Sequence, residues 1–255
     1  WPKEHGGRAL SLHQQVIYFE EYARARAPGR IGHIGETLLG PTLIAFGSDE
    51  QRQRFLPGIV AGTELWCQGY SEPGAGSDLA NIQTRAALDG DEWVIDGQKV
   101  WTSQAHWADW CFVLARTNRD AAKHKGISYL LVPMRQSGVE TRPIHQVTGD
   151  SEFNEVFFTS ARTDEANVVG EVNGGWRVAM GTLAFERGAS TLGQNLMFLN
   201  AATATLVHGA QSAKFAAAKA LLHRPVLSAR GEDGTILNHG RRGHPDALRG
   251  RHQRG

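Results

Sequence analysis

The chain has 255 residues, 41% hydrophobic and 21% charged, with a formal net charge of +1. That length supports a sizeable core, and the near-neutral charge gives no reason to expect nucleic acid or an anionic membrane as partner. No apolar run approaches the ~20 residues a membrane helix needs, and two cysteines, Cys67 and Cys111, make neither a disulfide framework nor a metal knuckle. No metal site is expected. A reducing, cytosolic-type compartment is (the mitochondrial matrix in a eukaryote).

Residues 1–62 read as an N-terminal helical domain. The charged opening "WPKEHGGR" is not a signal peptide, and a first residue other than Met suggests a processed or incomplete chain. Ser11-x-x-Gln14 is a capping-box pattern, followed at helical spacing by Leu12, Val16, Phe19 and Ala23 until Pro28-Gly29. Gly47 is a candidate C-cap, and Ser48-x-x-Gln51 opens a further helix toward Phe55-Leu56.

From about residue 63 to 172 the period changes to short runs of β-branched and aromatic residues, such as "ELWCQGYS", "DWCFVLART" and "NEVFFT". Asp89-Gly90 and Asp96-Gly97 are hairpin dipeptides. Helical stretches between the runs are missing, so an antiparallel barrel or sandwich is expected. Within this zone "GYSEPGAGSD" gathers bare amides and hydroxyls after a strand, an anion cradle in appearance. It lacks the third small residue and following helix of a dinucleotide fingerprint, and the Gly-Lys-Ser/Thr ending of a P-loop. At the end of "GQKVWTS", Trp101 stands beside Thr102 and Ser103. Such a cluster can stack on a planar ring while donating to its heteroatoms, although a core tryptophan is the plainer reading.

Residues 173–223 are helical again, entered through Gly174-Gly175, and read as the start of a C-terminal bundle. Residues 224–255 lose all period, grow rich in Gly, Arg and His, and are expected to be disordered. The fold class is α+β, with helical zones on both sides of the β domain.

"YSEPGAGSD", "DGQKVWTS", "NVVGEVNGGWRVAMGTLAFERG" and the opening "WPKEHGG" resemble the acyl-CoA dehydrogenases in order and spacing, over about residues 1 to 222. The resemblance implies the family's fold, an N-terminal helical domain, a middle β domain and a C-terminal bundle. It implies FAD and oxidation of an acyl-CoA thioester to the trans-2-enoyl-CoA, as in fatty acid β-oxidation. It lays Gln68, Gly69, Tyr70, Ser71, Gly74, Ala75, Gly76 and Ser77 along the flavin, with Ser77 also near the CoA portion. Trp101, Thr102 and Ser103 would cover one flavin face. The base would be Glu186 in "LAFERG", with Arg187 beside the substrate. Thr182, Leu183, Ala189 and Ser190 then surround Glu186 on the helix, an uncharged patch. Implied partners are an acyl-CoA, an electron-accepting protein and, at full length, further copies of the chain. A flavin oxidase or monooxygenase on the same fold, and a non-catalytic remnant, are the competing readings.

Overall fold

The computed structural model describes residues 1–187 and one strand pair, β8 (Ala229–Arg230) with β9 (Ile236–Leu237). The helical continuation expected to residue 223 lies outside the described residues. So does the 224–255 tail, apart from the β8–β9 pair, which forms where no regular structure was expected.

Two capping boxes set the N-terminal helices. Ser11 accepts from the Gln14 amide (3.3 Å) to start α1 (Leu12–Arg24), and Ser48 accepts from the Gln51 amide (3.2 Å) to start α3 (Asp49–Ala61). Each glutamine side-chain oxygen in turn accepts from its capping residue's amide. Between these helices a π-helical turn, Gly35–Leu39, runs directly into α2 (Gly40–Phe46). Such a turn widens the helix locally and turns up disproportionately at functional sites.

The middle of the chain forms a seven-stranded sheet: β1 (Trp66–Gly69), β2 (Arg85–Asp89), β3 (Glu92–Ser103), β4 (Trp110–Arg116), β5 (Ile127–Pro133), β6 (Val139–Pro143) and β7 (Phe153–Asp164). The order is β1-β4-β2-β3-β7-β6, with β5 also on β4. Thr163 of β7 donates to the Leu131 carbonyl of β5, so the sheet curls until its far strands meet. The antiparallel expectation holds for the β2–β3, β3–β7, β6–β7 and β4–β5 pairs. It fails for β1, which runs parallel to β4 and brings Cys67 into register with Cys111, and for the single β2–β4 pairing. Both thiols are free and buried.

The two predicted hairpin turns divide. Asp89-Gly90 does reverse the chain between β2 and β3. Asp96-Gly97 does not, because it lies inside β3 at a bulge. There Asp96 pairs with no residue of β7, while two residues, Thr159 and Ser160, intervene between the partners Ala161 and Phe158. The Asp96 carboxylate accepts from the Ser160 amide (2.8 Å). A β-carbon at residue 97 would meet Thr84 Oγ1 at 2.4 Å, so glycine is required for close approach rather than for a turn.

One hydrophobic core joins the helices to the sheet. Leu39 and Leu43, Phe55 and Ile59, Trp66, Phe112, Tyr129 and Val178 all belong to it. Helix α4 (Gly175–Glu186) lays one face on this core, burying Gly175, Val178, Ala179 and Thr182. A β-carbon on Gly175 would lie 2.5 Å from the Ser128 carbonyl carbon and the Tyr129 amide, so the first turn of α4 rests on the backbone of β5. A second core, with Trp93, Ile95, Val113, Leu130, Val156 and Phe158, lies within the curled sheet.

Candidate active site

The far end of α4 and the ends of β1 and β3 come together around a cleft of about 420 Å³. Its walls are His33, Ile34, Thr37 and Leu38 at and beside the π turn, Gln68 of β1, Trp101 and Ser103 of β3, and Leu183, Glu186 and Arg187 at the end of α4. Five residues picked out from the sequence thus meet: Gln68, Trp101, Ser103, Glu186 and Arg187. Leu183 joins them from the uncharged patch expected around Glu186, whereas the sequence does not single out His33, Ile34, Thr37 and Leu38. No motif marks them, since a helix wall shows only its 3.6-residue period.

Trp101 owes its position to a second bulge in β3. Lys99 pairs with Val156 and Thr102 with Asn154, so Val100 and Trp101 together face the single residue Glu155. The extra residue breaks the alternation of the strand. Lys99 and Thr102 both point inward, fully buried, and Trp101 is left 59% exposed beside Phe153 (ring centroids 6.1 Å). Its φ of 60° lies in the left-handed region, a conformation that costs a bulky residue of order 1–3 kcal/mol and clusters at functional sites. Buried Asn154 holds the bulge, donating to the Thr102 carbonyl (3.0 Å) while its side-chain oxygen meets His106 Nδ1 (3.2 Å).

The glycine loop is fastened from below. Lys99 Nζ donates to the Tyr70 carbonyl (3.1 Å) and to Glu72 Oε1 (2.8 Å). Glu72 also accepts from the amides of Gln83 and Thr84, and exchanges two backbone hydrogen bonds with Ala75 across Pro73-Gly74. Burial alone would push the Glu72 carboxyl up. The Lys99 ammonium and the donors around it outweigh burial and hold the carboxyl below its ordinary value. Lys99 is drawn below its ordinary value by burial, against the pull of Glu72.

The remaining sequence candidates fall into two groups. Gly69, Tyr70, Ala75 and Thr102 are buried, and the Tyr70 ring packs edge-on against Phe112 and Tyr129. Ser71, Gly74, Gly76 and Ser77 are not among the cleft's walls. The Ser71 carbonyl is tied to the Val100 amide (2.9 Å), next to Trp101. The reversal at Glu72–Ala75 then carries the chain on to exposed Ser77, whose neighbour Asp78 pairs with Lys123 (2.6 Å). Thus the loop leaves the cleft after Gln68 and does not line it.

A model of the acyl-CoA dehydrogenase N-terminal domain matches residues 1–63, and one of the family's middle domain matches residues 67–161. The chain belongs to the acyl-CoA dehydrogenase family. It is 65% identical over 198 residues to acyl-CoA dehydrogenase IpdE1 of Mycobacterium tuberculosis, covering 78% of this chain and 51% of that protein. Among solved structures, the Tcur3481-Tcur3483 steroid ACAD superposes with a TM-score of 0.72 at 37% identity, over 88% of this chain and 56% of that one. The ChsE4-ChsE5 complex from Mycobacterium tuberculosis gives 0.66 at 42% identity, over 72% and 47%. The chain spans about half the length of the curated relatives it matches. Its cleft residues fit the flavin that acyl-CoA dehydrogenases use. The exposed Trp101 ring offers a flat apolar face, and Ser103 and Gln68 set polar side chains in the same cleft.

Proposed function

We propose that the chain supplies the flavin face and the base of an FAD-dependent acyl-CoA dehydrogenase, which converts a saturated acyl-CoA into the trans-2-enoyl-CoA. The observation that carries this is the meeting of Glu186, from α4, with Trp101 and Ser103, from β3, in one cleft. In that reading Glu186 takes the proton from the α-carbon, leaving an electron pair that becomes the new double bond as the β-hydrogen departs with its own pair. FAD, when bound, is the hydride acceptor for that β-hydrogen. Trp101 would flank the ring system, and the hydroxyl of Ser103 and the amide of Gln68 would stabilise the charge that develops there. Gly74 to Ser77 would carry the phosphate and CoA portions past the rim, and Arg187 would lie beside the thioester. Reoxidation would fall to an electron-accepting protein. The ChsE4-ChsE5 complex and the Tcur3481-Tcur3483 steroid ACAD each pair two proteins, which supports assembly with a further subunit, a second copy or a related chain.

The test is anaerobic reduction of the FAD-loaded chain by acyl-CoA, followed in the visible spectrum. Glu186→Gln keeps the side chain's size and removes the basic oxygen. It should retain flavin and be reduced about 10²–10⁴-fold more slowly, the usual loss with a general base. Equal rates for parent and variant would move the base elsewhere, and a chain that takes up no flavin would exclude the assignment. Rapid reoxidation by air alone would favour an oxidase.

A further inference from the structure

Trp101 and Gln104 both hold a φ of 60°, and neither is glycine. A residue keeps that conformation only where its surroundings over-determine it. Thr102 and Ser103 stand between them, so both cleft-lining side chains of β3, Trp101 and Ser103, sit in a stretch with strain at each end. One buried side chain spans that stretch. Asn154 of β7 is fully buried and donates from Nδ2 to the Thr102 carbonyl (3.0 Å) and to the Glu152 carbonyl (3.1 Å). The Glu152 carbonyl also accepts from the Gln104 amide (2.9 Å). Asn154 thus holds Thr102 directly and Gln104 through a shared acceptor. Its amide has one workable orientation. Both carbonyls can only accept, so the nitrogen faces them and the oxygen faces His106 Nδ1 at 3.2 Å. His106 must then donate from Nδ1, and that bond fixes which way the buried amide points.

Resting on the flavin reading of this cleft, we propose that Asn154 is a positioning residue for the dehydrogenation, with His106 as the lock on its amide. Asn154 is not a wall of the cleft, so it acts through Trp101 and Ser103 rather than on the reacting atoms. The base comes from α4 and the flavin face from β3, and the gap between them is fixed only if both elements are fixed. A displacement of about 1 Å from a reacting geometry can cost about 10²-fold in rate. The chemistry of asparagine suits the place. Asn154→Asp would set a carboxylate oxygen against two carbonyl oxygens, and an apolar residue would take this donor away from the Thr102 carbonyl. His106 works from the surface, where its ring leans on the exposed Trp107 (centroids 4.4 Å), so the lock is reachable without disturbing the core.

Flavin fluorescence of the FAD-loaded chain reads the contact without turnover, because a tryptophan against the ring system quenches its emission. Trp101→Phe should brighten the flavin. Asn154→Leu, close in size and without donors, should retain flavin and brighten it too, yet add little in a Trp101→Phe background. In stopped-flow reduction by acyl-CoA its limiting rate should fall about 10–10²-fold, with half-saturation changed by less than about twofold. His106→Leu should move both readings the same way. His106→Asn, whose amide nitrogen restores a donor near the place of Nδ1, should return them toward the parent. Parent-like fluorescence and limiting rate in Asn154→Leu would leave Asn154 a structural role alone and overturn the proposal, whatever its melting temperature does. Equal brightening with and without Trp101 would overturn it as well. Should Asn154→Leu not fold, His106→Leu decides, since parent-like readings there overturn the proposal too. If parent and Trp101→Phe are equally bright, Trp101 does not face the flavin, and the reading of the cleft fails together with the proposal.

Discussion

Lys99 is fully buried and Glu72 nearly so, and their ion pair ties the floor of the sheet to the Glu72–Ala75 turn. Such a pair adds little net stability over an apolar replacement, but breaking it strands a buried charge at a cost of about 3–5 kcal/mol. Lys99→Met should lower unfolding free energy by about that much in urea titration. The double replacement Glu72→Gln with Lys99→Met should cost clearly less than the two single losses added together. The pH dependence follows from Glu72. A carboxyl held below its ordinary 4.5 in the fold stabilises it above that value, and the contribution is lost as pH falls through the folded value. Stability should therefore drop below about pH 4.5, with a shallower slope in Glu72→Gln. A flat acid profile in the parent would show that the pair is not ionised. None of this is legible in "SEPGAGSD". That string announces an exposed loop, and nothing in it says that its glutamate turns inward to meet a lysine 27 residues later.

At the scale of elements, β3 does more than its sequence advertises. The sequence reads a turn at Asp96-Gly97, because Asp-Gly suits a hairpin so well that the bulge is hidden until β7 is laid beside it. The bulge at Val100–Trp101 carries no glycine at all. It depends on the partner strand and on Asn154, which is why sequence pattern could name Trp101 without deciding between core and cleft. Helix α4 gives the opposite case: Gly174-Gly175 announced an entry, and the reason is close approach rather than freedom. Gly175→Ala would force Ser128 and Tyr129 of β5 and the first turn of α4 apart, since a methyl at 2.5 Å from backbone atoms has nowhere to go. It should cost about 1–3 kcal/mol, as overpacking does. Because α4 carries Glu186 at its other end, flavin reduction by acyl-CoA should slow as well. Unchanged stability would mean that α4 does not rest on β5 in solution.

For the molecule as a whole, composition and period separate a helical zone from a β zone at about residue 63, and the family models divide at nearly the same place. The packing does not divide there. Leu43 of α2 and Phe55 of α3 share one buried cluster with Trp66 of β1, Phe112 of β4 and Tyr129 of β5, and Val178 and Ala179 of α4 close it. Buried Thr42 of α2 meets Thr182 of α4 (2.8 Å). Period finds elements one at a time and cannot show which apolar faces they share, so the sequence does not reveal that one buried cluster spans the boundary between the helical and β zones. The cleft depends on that core, because its walls come from the π turn, the sheet and α4 together. Leu43→Ala removes a fully buried side chain and should cost about 2–5 kcal/mol. With a shared core that loss must be felt everywhere in it. Helical circular dichroism, which reports α1 to α4, and tryptophan fluorescence, dominated in the core by Trp66 and Trp110, should shift to lower urea concentration together and by the same amount. If the helical signal moved while the fluorescence transition stayed put, helices and sheet would be independent units, and the cleft a contact between them rather than a property of one core.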